Sequence, residues 1–374
     1  MPLTREELLA AVACLRRDGL VQTQIALRLD ISQSAVSRAL AEAEEMEILK
    51  VSRSVDPTRV TPQAWLKVDQ LLYGDVELAG RLKQWSPQPP SLHICQDGSF
   101  HNEAAGVVVG LLKYSSVVGV MCGVTVRRLI ACIQDCLPHG KGTRPDSIQC
   151  VPLAGDAVHF INSTNEHLSA SLLSGEMQQA LTGPAAIGPS LLGVPAYLPR
   201  ALVRSGRRDP LWDFIRGFPG YKAIFGTEGG GRPWVERVDT IVTGVGIMQW
   251  IGGELGPGTG VFISERLATD GMPPTELEPL ICGDMAGVLF PKEGLEPKER
   301  KEVDELNVGW TGIKEEQLLR VAEHARISGR PGNIVLAAGK AKAPVLRALV
   351  KGGYVNHLII DLELAAGLKA LEVR

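Results

Sequence analysis

Val117-Val118-Gly119-Val120-Met121-Cys122-Gly123-Val124-Thr125 opens as a short apolar run and closes on a Gly-x-Thr turn. A run of that length, stopped by glycine and followed by the helical pattern of Thr125–Cys136, is a strand feeding a helix. The alternation recurs along the chain. Strands are expected at Leu92–Cys95, Val117–Met121, Ile148–Leu153, Thr240–Val245, Ile334–Ala338 and His357–Ile360. Helical patterns lie between several of them, at His101–Lys113, Thr125–Cys136, Glu315–Arg326 and Ala343–Val350. Such alternation implies a Rossmann-like α/β domain: a mainly parallel sheet covered on both faces. No fixed-period repeat is visible.

Upstream the texture is all-helical. Leu8, Leu9, Val12 and Leu15 recur at helical spacing, and Gly19 stops that helix after Asp18. A second short helix fits Gln22–Leu29, with Ile25, Ala26 and Leu29 facing inward. Asp30-Ile31-Ser32 makes a turn, and Ser32 is placed to cap a third helix whose buried stripe is Val36, Leu40 and Ala43. Gln33, Ser34, Ser37 and Arg38 fall together on its other face. This is the layout of a helix-turn-helix, whose second helix offers its first side chains to the major groove. Gln pairs with adenine, Arg with guanine or phosphate, and Ser with either. The competing reading is a three-helix interaction domain with an ordinary solvated face. Next come Pro57 and Pro62, an amphipathic stretch from Trp65 to Trp85, and Ser86-Pro87-Gln88-Pro89-Pro90, together read as a connector. The expected organisation is a small all-α helix-turn-helix domain at 1–55, a connector helix and Pro-rich linker at 56–90, and a large α/β domain at 91–374.

The 374 residues carry 39 Lys+Arg, 42 Asp+Glu and a formal net charge of −3, with 45% hydrophobic and 22% charged residues. That balance belongs to a folded soluble protein of two unequal domains. Residues 1–54 hold 7 basic and 8 acidic side chains, which excludes wholesale phosphate neutralisation. Glu42, Glu44, Glu45 and Glu47 gather at the far end of the third helix, beyond the residues that would reach bases. DNA recognition must then come from a few side chains multiplied by assembly, so a dimer or higher assembly is expected rather than a monomer. The seven Cys are scattered and odd in number, and no cationic, apolar leader is apparent, which points to the cytoplasm. Cys132, Cys136 and His139 suggest half a metal site, but no second cluster has zinc-like spacing. They read as packed thiols, and neither metal nor cofactor is expected. The charge-free stretch Met177–Pro199 contains four prolines and reads as buried irregular chain, not a membrane anchor.

Several residues are candidates for a ligand site. Gly123-Val124-Thr125 stands at a strand end, where parallel sheets bind ligands, and the following helix start suits a phosphate. It also fits a capped turn, with Thr125 as the cap. Lys342 follows the Gly339 turn after an apolar strand and offers a point charge for phosphate or carboxylate; neighbouring Lys340 is an alternative contact. Gly244 and Gly246 permit close approach of backbone to a ligand, or only tight packing. Asp284 suits ligand hydroxyls, or caps the segment that follows. Glu228–Pro233 and Gly252–Gly258 are Gly-rich without a Walker signature and read as flexible loops.

The motifs together resemble one family. Gln22-Thr23-Gln24-Ile25-Ala26, Leu29, Ser32 and Val36-Ser37-Arg38-Ala39-Leu40 resemble the helix-turn-helix of the SorC-type sugar-binding transcriptional regulators. Val118–Thr125, Val242–Ile247, Cys282-Gly283-Asp284-Met285 with Phe290, Gly339–Lys342 and Leu358–Asp361 are similar to that family's glycine motifs, in its order. The resemblance implies a cytoplasmic transcription regulator reading operator DNA. Its C-terminal domain would resemble sugar-phosphate isomerases in fold and bind a sugar or phosphosugar effector, and such regulators generally form tetramers. By the same resemblance Gln33, Ser34, Ser37 and Arg38 would contact DNA, and Gly123, Thr125, Gly246, Asp284 and Lys342 the effector. This chain departs from the pattern at Met121-Cys122, where the family often has Ser-Trp, at Leu362, where Glu is usual, and at Val21, where Thr is common.

The leading expectation is thus a ligand-responsive DNA-binding regulator and not an enzyme. The alternative is a sugar-phosphate isomerase-like enzyme fused to a helical domain, for which Asp284 and His324 are conceivable acid and base. A protein-interaction adaptor is a third.

Overall fold

The computed structural model describes residues 3–17, 20–49, 64, 68, 75–95, 98, 100–136, 148–159, 169–183, 192–203, 210–226, 232–251, 253–256 and 258–371. The chain forms two compact units, Met1–Ala79 with Ser91–Ile94, and Gly80–Pro90 with Cys95–Arg374.

The smaller unit is built on three helices, α1 (Arg5–Arg17), α2 (Gln22–Leu29) and α3 (Gln33–Glu45). Leu9, Val12, Leu15, Ile25, Val36, Leu40 and Ala43 are buried in one cluster, which Ile48, Leu49, Ala64 and Val68 join. α3 buries one stripe, Val36, Ala39, Leu40 and Ala43, and α2 buries Ile25, whereas Leu9 to Leu15 of α1 are buried all round, as in a helix enclosed by its neighbours. Ala26 and Leu29 are only partly buried against it. α2 ends at Asp30, which adopts the left-handed conformation (φ 52°, ψ 47°) that Asp tolerates through its short polar side chain. After this turn the Ser32 hydroxyl accepts the Ala35 N–H at 3.2 Å, capping α3 as its sequence suggests. The expected stop at Asp18-Gly19 lies outside the described residues, as does most of the connector between 50 and 74.

In the larger unit, β2 (Val117–Val120), β3 (Gln149–Pro152), β4 (Thr240–Gly246), β9 (Gly332–Ala337) and β10 (His357–Asp361) pair in parallel in the order β10-β9-β4-β2-β3. Val118, Val120, Ile241, Val242, Ile334 to Ala337 and Leu358 to Ile360 have no exposed surface. Burial on both faces explains why these strands read as unbroken apolar runs. From β2 the chain passes to β3 on one side, then returns to β4 on the other and continues outward to β9 and β10. The winding therefore reverses between β2 and β4, and an open parallel sheet binds its ligand beyond the carboxyl ends at such a reversal.

β4 also pairs antiparallel with β7 (Ile281–Met285), which turns through Ala286-Gly287 into β8 (Val288–Pro291). Trp250–Ile251 (β5) and Glu254–Leu255 (β6) pair antiparallel at the run read as a flexible Gly-rich loop. β1 is Ser91–Cys95. A further expectation needs correction: Met177–Thr182 is not irregular chain but the last part of the helix Ala170–Thr182. Ser169 caps that helix, Gly183 ends it, and the prolines that suggested irregularity all lie beyond the stop. Of the rest, 184–191 lie outside the described residues. Among the described residues no helix is long and apolar enough to cross a membrane.

Candidate functional site

The reversal between β2 and β4 brings together residues far apart in sequence. Gly123 follows β2, and the helix Val124–Cys136 starts beside it. Thr125, in the first turn, faces β4: a Cβ built on Gly244 would lie 3.7 Å from Thr125 Cβ and 3.9 Å from its Oγ1. Past Gly244, Gly246 pairs with Asp284 of β7 across an antiparallel ladder. A Cβ on Gly246 would come within 2.0 Å of Asp284 Oδ1, and one on Gly260 within 2.8 Å of it and 2.7 Å of the Gly246 Cα. Glycine at both positions is what admits the carboxylate.

Asp284 is buried, at 4% exposure. Its Oδ2 accepts the Gly287 N–H at 3.0 Å, whereas Oδ1 finds no donor among the described residues. Burial pushes this carboxyl up to about 6, although the Gly287 N–H, Arg266 and Lys342 all favour its charged form. A buried carboxylate oxygen with no donor is costly unless something binds it.

Lys342 is partly buried and Lys340 is exposed, so Lys342 is the cation that the fold turns inward. Burial lowers the Lys342 ammonium, against the attraction of Asp361 and Asp284. Asp361 holds the turn that carries it. Its two carboxylate oxygens accept the Gly339 N–H at 3.1 and 3.0 Å, and Oδ1 also caps the last helix through Leu364 N–H at 2.8 Å. His101, in the helix Phe100–Leu112, has its imidazole lowered by burial and by the charges of Arg128 and Lys342. Sequence reading overlooked His101 and Gly260: one His near a helix start and one Gly in a Gly-rich run carry no distinguishing pattern.

Met121 and Cys122, the two departures beside Gly123, are both buried. Burial, with Asp156 and Glu265 nearby, raises the Cys122 thiol far above its ordinary value, which leaves it inert. Glu265 anchors the adjoining chain by accepting the N–H groups of Val158 and His159 at 3.0 and 2.7 Å and pairing with His159 Nδ1 at 3.0 Å. Leu362, by contrast, is exposed. Among the described residues Asp284 and His324, the acid and base considered for an enzyme, share no hydrogen bond or ion pair. The charged groups acting on Asp284 are Arg266 and Lys342, while His324 lies beside the Ser328 hydroxyl in an exposed part of the helix Glu315–Ser328. Cys132 is half-buried on the helix Val124–Cys136, and His139 lies outside the described residues.

In the smaller unit, Gln33, Ser34, Ser37 and Arg38 are all exposed in the first turns of α3. Arg38 Nε donates to the Ser34 carbonyl at 3.3 Å, and the Ser32 and Ser34 hydroxyls lie 3.0 Å apart. The four form one polar face opposite buried Val36, Ala39 and Leu40.

Among solved structures, the full-length sorbitol operon regulator SorC from Klebsiella pneumoniae superposes with a TM-score of 0.55 and 18% identity, over 97% of this chain and 99% of that one. The fold is that of SorC. A DeoR family transcriptional regulator from Listeria monocytogenes (TM-score 0.52, 16% identity) and a probable sor operon regulator from Shigella flexneri (0.51, 17%) each match over 78% of this chain and 98% of theirs. No family model and no curated protein matches the chain by sequence. The fold likeness to SorC therefore stands on backbone geometry.

Proposed function

We propose that this protein is a DNA-binding transcription regulator whose larger unit binds a sugar, phosphosugar or related small metabolite that modulates operator binding. The observation that carries the reading is the exposed face Gln33, Ser34, Ser37 and Arg38, held at the start of a capped helix that follows a tight turn. Those side chains are the ones that read base edges and phosphates. The glycine-lined crevice supports the second half: Asp284 Oδ1 for hydroxyls, and Lys342 with the helix start at Gly123 and Thr125 for an anionic group. The solved relatives bear names in keeping with it, including a sugar-binding domain of a transcriptional repressor from Vibrio fischeri (TM-score 0.50, 14% identity).

Effector binding would shift an equilibrium between assemblies that differ in operator affinity, a coupling of about 1–3 kcal/mol. The assembly is a dimer or tetramer, and the reaction scheme includes no catalysis. The test uses DNA from upstream of the protein's own coding sequence at fixed salt. Arg38→Ala should weaken binding about tenfold or more while leaving the thermal transition in place. A variant that binds as tightly as the parent would remove α3 as the reading element. Thermal-shift screening of sugars and phosphosugars checks the other half, because a ligand of the native state stabilises it. Hits confined to non-sugars would overturn the effector class.

A further inference from the structure

A second cavity, of about 460 Å³, opens in the larger unit on residues that the crevice does not use. Trp212 and Tyr221 come from the helices Pro210–Gly217 and Pro219–Phe225, and Trp310 and Val288 also line it. All three aromatic side chains are buried, and the Trp212 and Tyr221 rings lie 6.4 Å apart at 58°. Faces of this kind take up flat apolar groups, and the volume falls in the range of small-molecule sites.

Two cations converge on this shell. Lys314 Nζ stands 5.0 Å from the Trp212 ring centroid and donates to the Trp310 carbonyl. The Arg216 guanidinium lies 5.6 Å from the same ring. Among the described residues no carboxylate pairs with Lys314 at ion-pair distance. Among the described residues Arg216 forms an ion pair only with exposed Asp213, at 3.6 Å. The acids at the lining are Asp304, Glu315 and Glu316, all exposed, and Glu315 already accepts from the Tyr354 hydroxyl. Burial and the charges of Arg266 and Arg216 bring Lys314 down to about 8, with Glu316 opposing them. The lining thus combines aromatic residues with an ammonium that, among the described residues, has no carboxylate at ion-pair distance, Glu316 acting on it only from farther away.

We propose that this cavity is a second ligand site, for a small aromatic carboxylate, with the ring against Trp212, Tyr221 and Trp310 and the carboxylate on Lys314 and Arg216. An organic cation is disfavoured because Lys314 already occupies the cation position over Trp212. A neutral aromatic ring would leave the ammonium as it is. An anion would supply the close carboxylate partner that Lys314 lacks among the described residues.

The test is calorimetric titration of the full chain with indole-3-acetate, with indole-3-acetamide as the uncharged match. The expected result is one saturable site per chain for the acetate and affinity lower by about tenfold or more for the acetamide. Lys314→Met should bring the acetate down to the acetamide's level. Arg216→Ala, at an exposed position that folding does not need, should weaken it severalfold. Thr125→Ala, in the crevice, should bind the acetate like the parent. Equal affinity for acetate and acetamide, no saturable binding up to about 10 mM, displacement of the acetate by tetramethylammonium, or parental affinity in both cavity variants would each overturn the proposal.

Discussion

At Asp284 the requirements of stability and of the proposed ligand binding oppose each other. Its carboxyl is held at about 6 in the fold against 3.8 for a free side chain, because burial outweighs the Gly287 N–H and two nearby cations. The folded protein therefore holds this proton more tightly than the unfolded chain does. Stability from this group is present at low pH and is lost as pH rises through about 6, a difference of roughly 2–3 kcal/mol between pH 4 and pH 7. Asp284→Asn keeps the Gly287 bond through its carbonyl oxygen and removes the buried charge. The variant should be more stable than the parent at pH 7 by about 1–2 kcal/mol and should show no such loss across this window. Urea midpoints measured from pH 4 to 7 decide it. A variant less stable than the parent at pH 7 would mean that Lys342 and Arg266 more than repay the burial of the charge.

At the scale of elements, the hairpin β7–β8 is as much a device of the site as a piece of sheet. Its turn residue Gly287 donates to Asp284, accepts from Arg266 Nη2 at 3.3 Å, and lies where a Cβ would come within 2.2 Å of the Trp310 ring. It also has φ +78°, a conformation that disfavours side chains. Gly287→Ala should cost about 3 kcal/mol or more, because steric overlap adds to backbone strain. Gly294, with φ +83° and open space around it, isolates the strain, and Gly294→Ala should cost about 1 kcal/mol. Thermal or denaturant midpoints compare the two; equal costs would show that the Trp310 contact relaxes freely. In the small unit, Ser32→Ala removes the α3 cap and should lower the protection of the first amides of that helix in hydrogen exchange about fivefold, equivalent to ~1 kcal/mol.

How far these elements were legible in the sequence follows from their surroundings. β2, β4, β9 and β10 announce themselves because both faces are buried, and the three N-terminal helices because their larger apolar residues recur at helical spacing. β7 does not, since Cys282-Gly283-Asp284 interrupts its apolar run and a bulge breaks its register with β8. The helix Pro297–Val308 buries only Val303 and Leu306, too few to stand out among charged residues. In the crevice, the Gly-x-Thr turn and the Gly-Asp segment were visible as motifs. The pairing of Gly246 with Gly260 around one carboxylate oxygen was not, because close approach of backbones leaves no spacing rule. The aromatic cavity was hidden for a simpler reason: Trp212, Val288 and Trp310 meet only in the fold.

For the whole molecule, charge sets how DNA can be bound. Residues 1–54 are close to neutral, and Arg38 is the one cation among the four side chains proposed to read DNA. Each phosphate contact contributes roughly 0.9 to the slope of log affinity against log salt. A module with few such contacts binds weakly and with a shallow slope, and operator affinity must come from joining modules, since linked sites multiply their affinities through effective concentration. Operator occupancy is therefore expected to rise more steeply than the first power of protein concentration below the assembly threshold. The salt slope should scale with the number of modules bound. Gel-shift titrations at several salt concentrations, with sedimentation giving the oligomer at each protein concentration, measure both quantities. A hyperbolic titration by a monomer, with a slope beyond what one module's few cations can supply, would require DNA contacts from outside α3 and would move the search to the basic residues of the larger unit.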